Sequence, residues 1–224
     1  MRTSIGIISG ITVFALHCNS EKSMSQPSPI SAPALSAASD QATSSPAAQA
    51  RDVVAFWREA GPSLWFAKDP AFDQRFRERF AAEHEAARRG ELSAWERDAQ
   101  GALALLILLD QYPRNSFRGT PRMYATDELS RRIANAAIAA GHDREIEAPL
   151  RLFMYLPFAH SEALSDQERS VELSRALGAD ALQHAEHHRD IVRRFGRFPH
   201  RNAILGRAPR PEEQQYLAEG GFKG

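Results

Sequence analysis

Between Ala99 and Leu109 the chain places apolar residues on every side of a helix. Trp95, Ala99, Ala102, Leu106 and Leu109 step by 4, 3, 4 and 3 along one face, and Leu103, Leu105, Ile107 and Leu108 fill the others. A helix with no polar face has none to give to water, so it must be surrounded by protein. The rest of the fold has to supply elements that bury it. No stretch shows period-2 alternation bounded by hairpin turns, so those elements are expected to be helices as well.

The punctuation supports this. Val53, Val54, Phe56 and Trp57 open a first short helix that Gly61-Pro62 ends. Asp69-Pro70 is an N-cap followed by proline at the first helical position, and Phe72, Phe76 and Phe80 then recur every fourth residue until Gly90. Ser93 and Glu96 have capping-box spacing and predict the start of the central helix, with Pro113 its end. Thr120-Pro121 predicts another start, with a stripe from Met123 through Ile133 to Ala140 and a stop at Gly141. Pro149 to Leu156 reads as a brief apolar turn or helix stopped by Pro157, and Ser165 with Glu168 as a second capping box, ahead of Gly178. The next helix carries Ala181, Ala185, His188, Val192 and Phe195 on one face and closes at Gly196. A short helix over Pro199–Leu205 and a last one over Pro211–Ala218 follow, with Glu212 and Glu213 at the positive end of the latter. The expected architecture is all-α, with about eight helices in antiparallel pairs over residues 51–222 and no fixed-period repeat.

Residues 1–50 differ. Arg2 precedes the apolar run Ile5–Leu16, which has the length of a signal-peptide core but is too short to span a bilayer well. Between Met24 and Ala50 the chain is mostly Ser, Ala, Pro and Gln, a composition with too little apolar surface to offset ordering entropy. The expectation is a disordered leader, with Met24 as an alternative start and a cytoplasmic protein. Export or membrane anchoring is the alternative if residues 1–23 act as a signal. Cys18 is the single cysteine, so neither a disulfide framework nor a thiolate metal site is available. The formal net charge is zero, which argues against bulk electrostatic binding of nucleic acid.

Three segments occur in one order. Leu108 to Asn115 reads LLDQYPRN and leads to Phe117-Arg118-Gly119. Tyr155 to Phe158 reads YLPF and leads to His160-Ser161-Glu162 and Asp166-Gln167. Arg194 to Asn202 reads RFGRFPHRN and leads to Leu205-Gly206-Arg207. Over roughly Val53 to Phe222 the chain resembles the bacterial family of unknown function numbered nine-two-four, which is placed in the tetratricopeptide-like helical superfamily. The resemblance implies an all-helical, superhelical fold and no established activity. Typical members carry Phe where this chain has Tyr112, which keeps an aromatic ring in place.

Each of these polar segments follows an apolar helix or turn, so stacked helices can bring them to one end or face. The stretch Arg193–Arg207 alone holds five arginines with His200, Asn202, Phe195 and Phe198. Arginine forks suit carboxylate and phosphate. The candidate ligand-binding residues are therefore Arg114, Asn115, Arg118, Arg194, Arg197, Arg201, Asn202 and Arg207, and the expected partner is an anionic small molecule or an acidic peptide. The alternative is a hydrolase-like enzyme using His160, Glu162, His200 and Asp110 as acid–base groups. A third reading spends the arginines on an internal network with the acids. Phe195 and Phe198 are read as anchors of the turn at Gly196 rather than as a base-stacking platform, so no nucleic-acid partner is expected. His184 and His188 have i, i+4 spacing, but the H-E-x-x-H arrangement is absent and His188 falls on the apolar stripe, so no metal is expected. No cofactor is expected either, because the chain has no phosphate-binding glycine loop and no dinucleotide fingerprint. No stable membrane insertion is expected, and the oligomeric state stays open.

Overall fold

The computed structural model describes residues 45–224, and the expectations on the leader ahead of residue 45, including Cys18 and Met24, lie outside them. The described residues are built from helices and turns, with no strand among them. The first helix, α1 (Pro46–Ala60), starts ahead of Arg51, with Ser45 Oγ accepting from the Ala48 amide. A short α2 (Pro62–Trp65) folds back on it, and Trp65 Nε1 donates to the Trp57 carbonyl at 2.6 Å. The next helix, α3 (Pro70–Arg88), begins as expected, with the Asp69 carboxylate accepting from the Phe72 amide, and kinks at Phe80. No helix among the described residues is long and apolar enough to cross a membrane.

The central helix departs from expectation at both ends. Ser93–Arg97 forms a 3₁₀ turn, and no side-chain cap closes it. The helix proper, α4 (Ala99–Leu106), is capped by Asp98 instead, whose carboxylate accepts from the Gly101 amide at 2.8 Å. The chain does not stop at Pro113 either. A π-helical turn over Ile107–Gln111 leads directly into α5 (Tyr112–Ser116). Proline has no N–H to give the carbonyl four residues before it, and distant side chains take up the carbonyls left free here. Thr126 Oγ1 donates to the Leu109 carbonyl and His84 Nδ1 lies 2.9 Å from that of Leu108, while the nearby Arg114 Nη1 donates to that of Asp110 at 2.9 Å. The widened turn carries the helix past this point without a break.

Thr120-Pro121 opens only a 3₁₀ turn, Pro121–Tyr124, and α6 (Asp127–Ala139) begins after Thr126. Pro157 does not stop α7 (Ala148–Ala159). The side chain of buried Gln167 closes that helix, donating to the carbonyls of Ala159 and Ser161 at 2.8 and 2.6 Å. Ser165 lies inside α8 (Leu164–Ser174), which Ala163 precedes, so the second capping box does not form. The long α9 (Ala179–Phe195) ends at Gly196, which adopts the left-handed conformation at φ 68° that favours glycine. Pro199–Arg201 is a single 3₁₀ turn, and α10 (Pro211–Ala218) is the last helix.

Helix α6 packs on α7, α7 on α8 and α8 on α9, while α1 packs on α4 and α3 on α5. The main core joins the aliphatic side chains of the central helix to an aromatic cluster. The Phe76 ring lies 5.2–5.9 Å from those of Phe56, Trp57, Phe72, Phe80 and Tyr112. A separate small core of Ile191, Val192, Phe195 and Phe198, with Tyr216 and Phe222 against it, holds the end of the chain. Gly101 is a point of very close backbone approach: a Cβ there would stand 2.2 Å from the Trp95 carbonyl oxygen. Gly101→Ala is therefore expected to cost about 1–3 kcal/mol, as overpacking does, read as a lower urea midpoint.

Candidate functional site

The π turn determines what lies at the centre of the molecule. It carries Asp110 and Gln111 into the interior, where Asp110 is 1% exposed. Asp110 Oδ1 lies 2.8 Å from His160 Nδ1 at the end of α7 and 3.2 Å from Arg114 Nη1, while Gln111 Nε2 donates to Oδ2 at 2.6 Å. Arg114 also grips Asp127 with both Nη atoms, at 2.8 and 3.0 Å. Burial by itself would raise the Asp110 pKa, but Arg114 and His160 outweigh it and bring it down to about 2. For His160 the order is reversed: burial and then Arg114 lower its pKa, against the pull of Asp110. The ring is thus neutral at pH 7, and its contact with a carboxylate assigns the proton to Nδ1.

Beside this cluster is a cavity of about 470 Å³. Trp65, Phe66, Leu152, Leu156, Ala185 and Phe222 give it apolar walls, and Arg114, Arg118, Arg201, Lys68 and four histidines (160, 184, 188 and 200) contribute to its polar lining. No Asp or Glu lines it among the described residues. His188 and His200 have pKa values lowered to about 4 and about 3, burial being the first cause in both and Arg201 the next for His200. They are neutral at pH 7 and add no positive charge to that of the arginines and Lys68.

The arginines are not equivalent. Arg118 chelates Asp73 at 2.7 and 3.1 Å, and Asn115 donates to the same carboxylate. Arg201, in the turn after α9, is 7% exposed, yet its Nε is buried without an acceptor among the described residues. Its ion-pair partner is Asp127, with the carboxylate oxygen 3.8 Å from Nη1, beyond hydrogen-bond reach. The guanidinium is instead held between the rings of Tyr124 and Phe198, at 4.6 and 4.5 Å. Burial and the nearby Arg114 both lower its pKa.

Of the candidate ligand-binding and acid–base residues, Arg114, Asn115, Arg118, His160, His200 and Arg201 line the chamber, with Asp110 directly behind His160. The others are outside its lining. Glu162 takes both Nη atoms of Arg207 at 2.6 and 3.0 Å and the Phe198 amide at 2.8 Å. Arg197 and Asn202 converge on buried Glu213, which also accepts from the Arg210 amide. Arg194 lies over the rings of Phe195 and Tyr216. Ser161 donates to Asp166 at 2.7 Å. Sequence reasoning missed Tyr124, Lys68 and Phe222 as lining residues, and no local pattern marks them. Among the described residues, no three His, Cys, Asp or Glu side chains gather as a metal site.

Fold and chamber together define an all-helical protein built around a basic and aromatic cavity. The chain belongs to the bacterial family described as "Bacterial protein of unknown function (DUF924)", which matches residues 53–221. It is similar to the solved structure of the protein of unknown function ATU0120 from Agrobacterium tumefaciens. The two are 56% identical, with a TM-score of 0.77, over 78% of this chain and 99% of that one. No curated protein matches the chain.

Proposed function

We propose that the chamber binds a small anionic molecule with an apolar body, its carboxylate paired with Arg201. The observation that carries this reading is the state of Arg201: a buried guanidinium on the cavity wall whose Nε has no hydrogen-bond acceptor among the described residues. A buried charge without a close partner is costly; the Nη end of the guanidinium lies 3.8 Å from Asp127, and a carboxylate entering the chamber would give it an acceptor with the planar geometry that the fork suits. A lining without Asp or Glu among the described residues adds to this, and the volume lies in the range of small-molecule sites.

The test is thermal unfolding with butyrate, hexanoate, benzoate and inorganic phosphate. At a ligand concentration about 100 times Kd, linkage gives about 2.7 kcal/mol of stabilisation. Hexanoate or benzoate is expected to stabilise the parent and leave Arg201→Met unmoved. Without ligand, Arg201→Met is expected to melt no lower than the parent, because the change removes a poorly compensated buried charge. Equal shifts in parent and variant would remove Arg201 from the site, and no shift with any carboxylate would overturn the reading. A larger shift from a short peptide ending in Glu than from hexanoate would replace the small molecule with a peptide end.

A further inference from the structure

His160 and Arg201 stand at the two ends of one continuous line of contacts. His160 meets Asp110 at 2.8 Å, Asp110 meets Arg114 at 3.2 Å, Arg114 meets Asp127 at 2.8 Å, and Asp127 meets Arg201 at 3.8 Å. Both end residues line the same chamber. The side chain of His160 is 17% exposed, so it is reached through the cavity although it sits deep in the protein. With Nδ1 committed to Asp110, the free acceptor of the ring is Nε2. An oriented neutral imidazole backed by a buried carboxylate is the arrangement that general-base catalysis requires.

We propose that the protein hydrolyses carboxylate-bearing esters, with His160 as the base that activates water and Asp110 as the residue that positions it. The proposal rests on the reading of Arg201 as the carboxylate site. Water adds to the ester carbonyl carbon while its proton passes to His160 Nε2. The tetrahedral adduct then collapses, the bond from carbon to the leaving oxygen breaks, and that oxygen takes the proton back from His160. An ester and water become an acid and an alcohol, with no change in oxidation state. Asp110 stays ionised and holds the Nδ1 proton. Burial keeps the His160 ring unprotonated at pH 7, the form that can accept a proton. Ser161 lies outside the chamber lining and donates to Asp166, and neither serine of the lining, Ser170 or Ser174, hydrogen-bonds His160, so water is taken as the nucleophile.

The charges facing His160 set the pH profile. Asp110 and Arg114 lie on the π turn and α5, Asp127 on α6 and His188 on α9. Ester hydrolysis is expected to rise with pH as His160 loses its proton and then level off. Asp110→Asn removes the negative charge that favours the protonated ring, so the rise is expected at lower pH and the plateau is expected to fall.

The experiment compares the 4-nitrophenyl monoester of glutaric acid with neutral 4-nitrophenyl butyrate, using the full chain. The parent is expected to prefer the glutarate ester in kcat/KM. His160→Gln is expected to lose about 10²-fold or more in kcat while keeping its thermal shift with hexanoate, which also shows that the variant folds. Arg201→Met is expected to lose the preference for the carboxylate through a KM about tenfold or more higher. A parent that binds hexanoate yet hydrolyses neither ester faster than buffer would overturn the catalytic inference alone, as would equal turnover by parent and His160→Gln. A parent that no carboxylate stabilises would overturn the binding reading on which it rests.

Discussion

Replacing Asp110 with alanine is expected to lower the unfolding free energy by about 3–5 kcal/mol at pH 7, the cost of leaving buried charge without its partner. The variant keeps Arg114 inside the protein, removes one of its two carboxylates and strips His160 and Gln111 of their acceptor. The effect depends on pH in a defined direction. The folded pKa of about 2 lies below the ordinary 3.8, so the contribution is complete above about pH 5 and is lost as pH falls through the folded value. That difference corresponds to about 2 kcal/mol. Urea denaturation at pH 7 and again near pH 3 is the measurement: the gap between parent and variant should narrow at the lower pH. A gap that stays constant would show that Asp110 acts through packing alone.

Phe76→Ala is the second large effect, and its origin is different. The ring is fully buried and sits among five other aromatic rings drawn from α1, α3 and α5. Removing it loses the transfer free energy and leaves a void that aromatic neighbours fill poorly, for about 3–5 kcal/mol. Equilibrium denaturation should show a lower midpoint with an unchanged slope. Unlike the Asp110 variant, the loss should be the same at pH 7 and at acid pH. A loss under about 1 kcal/mol would mean that the neighbouring rings collapse into the space.

What is legible in the sequence is local. Asp69-Pro70 starts a helix because cap and proline act within one turn. Gly196 ends one because its backbone conformation belongs to itself. Pro113 and Pro157 do not end their helices, because the rule that proline stops a helix considers only the residues beside it. His84 and Thr126, far along the chain, satisfy the carbonyls that the turn at Pro113 leaves free. The capping boxes fail for a related reason: Ser93 gives way to Asp98, and Ser165 is already inside its helix. At the site, the sequence shows which residues are polar but not how they pair. Arg197 and Arg201 are four apart and look alike. Arg197 meets Glu213, whereas Arg201 Nε meets no acceptor among the described residues, and that distinction depends on residues brought near only by folding.

The stretch after α10 has a kinetic consequence. Phe222 sits against the rings of His188 and His200 at 4.8 and 5.1 Å, and the Gly224 carbonyl accepts from Lys68 Nζ at 3.3 Å. The carboxylate guest proposed above would reach Arg201 beside this segment, which packs Phe222 on the small core and would have to open locally to admit it. Association of that guest would then be paced by the opening of the segment and would fall below the rate of diffusive encounter. Residence time would be set by the same motion in reverse, so that one short segment would govern both how fast such a guest arrives and how long it stays.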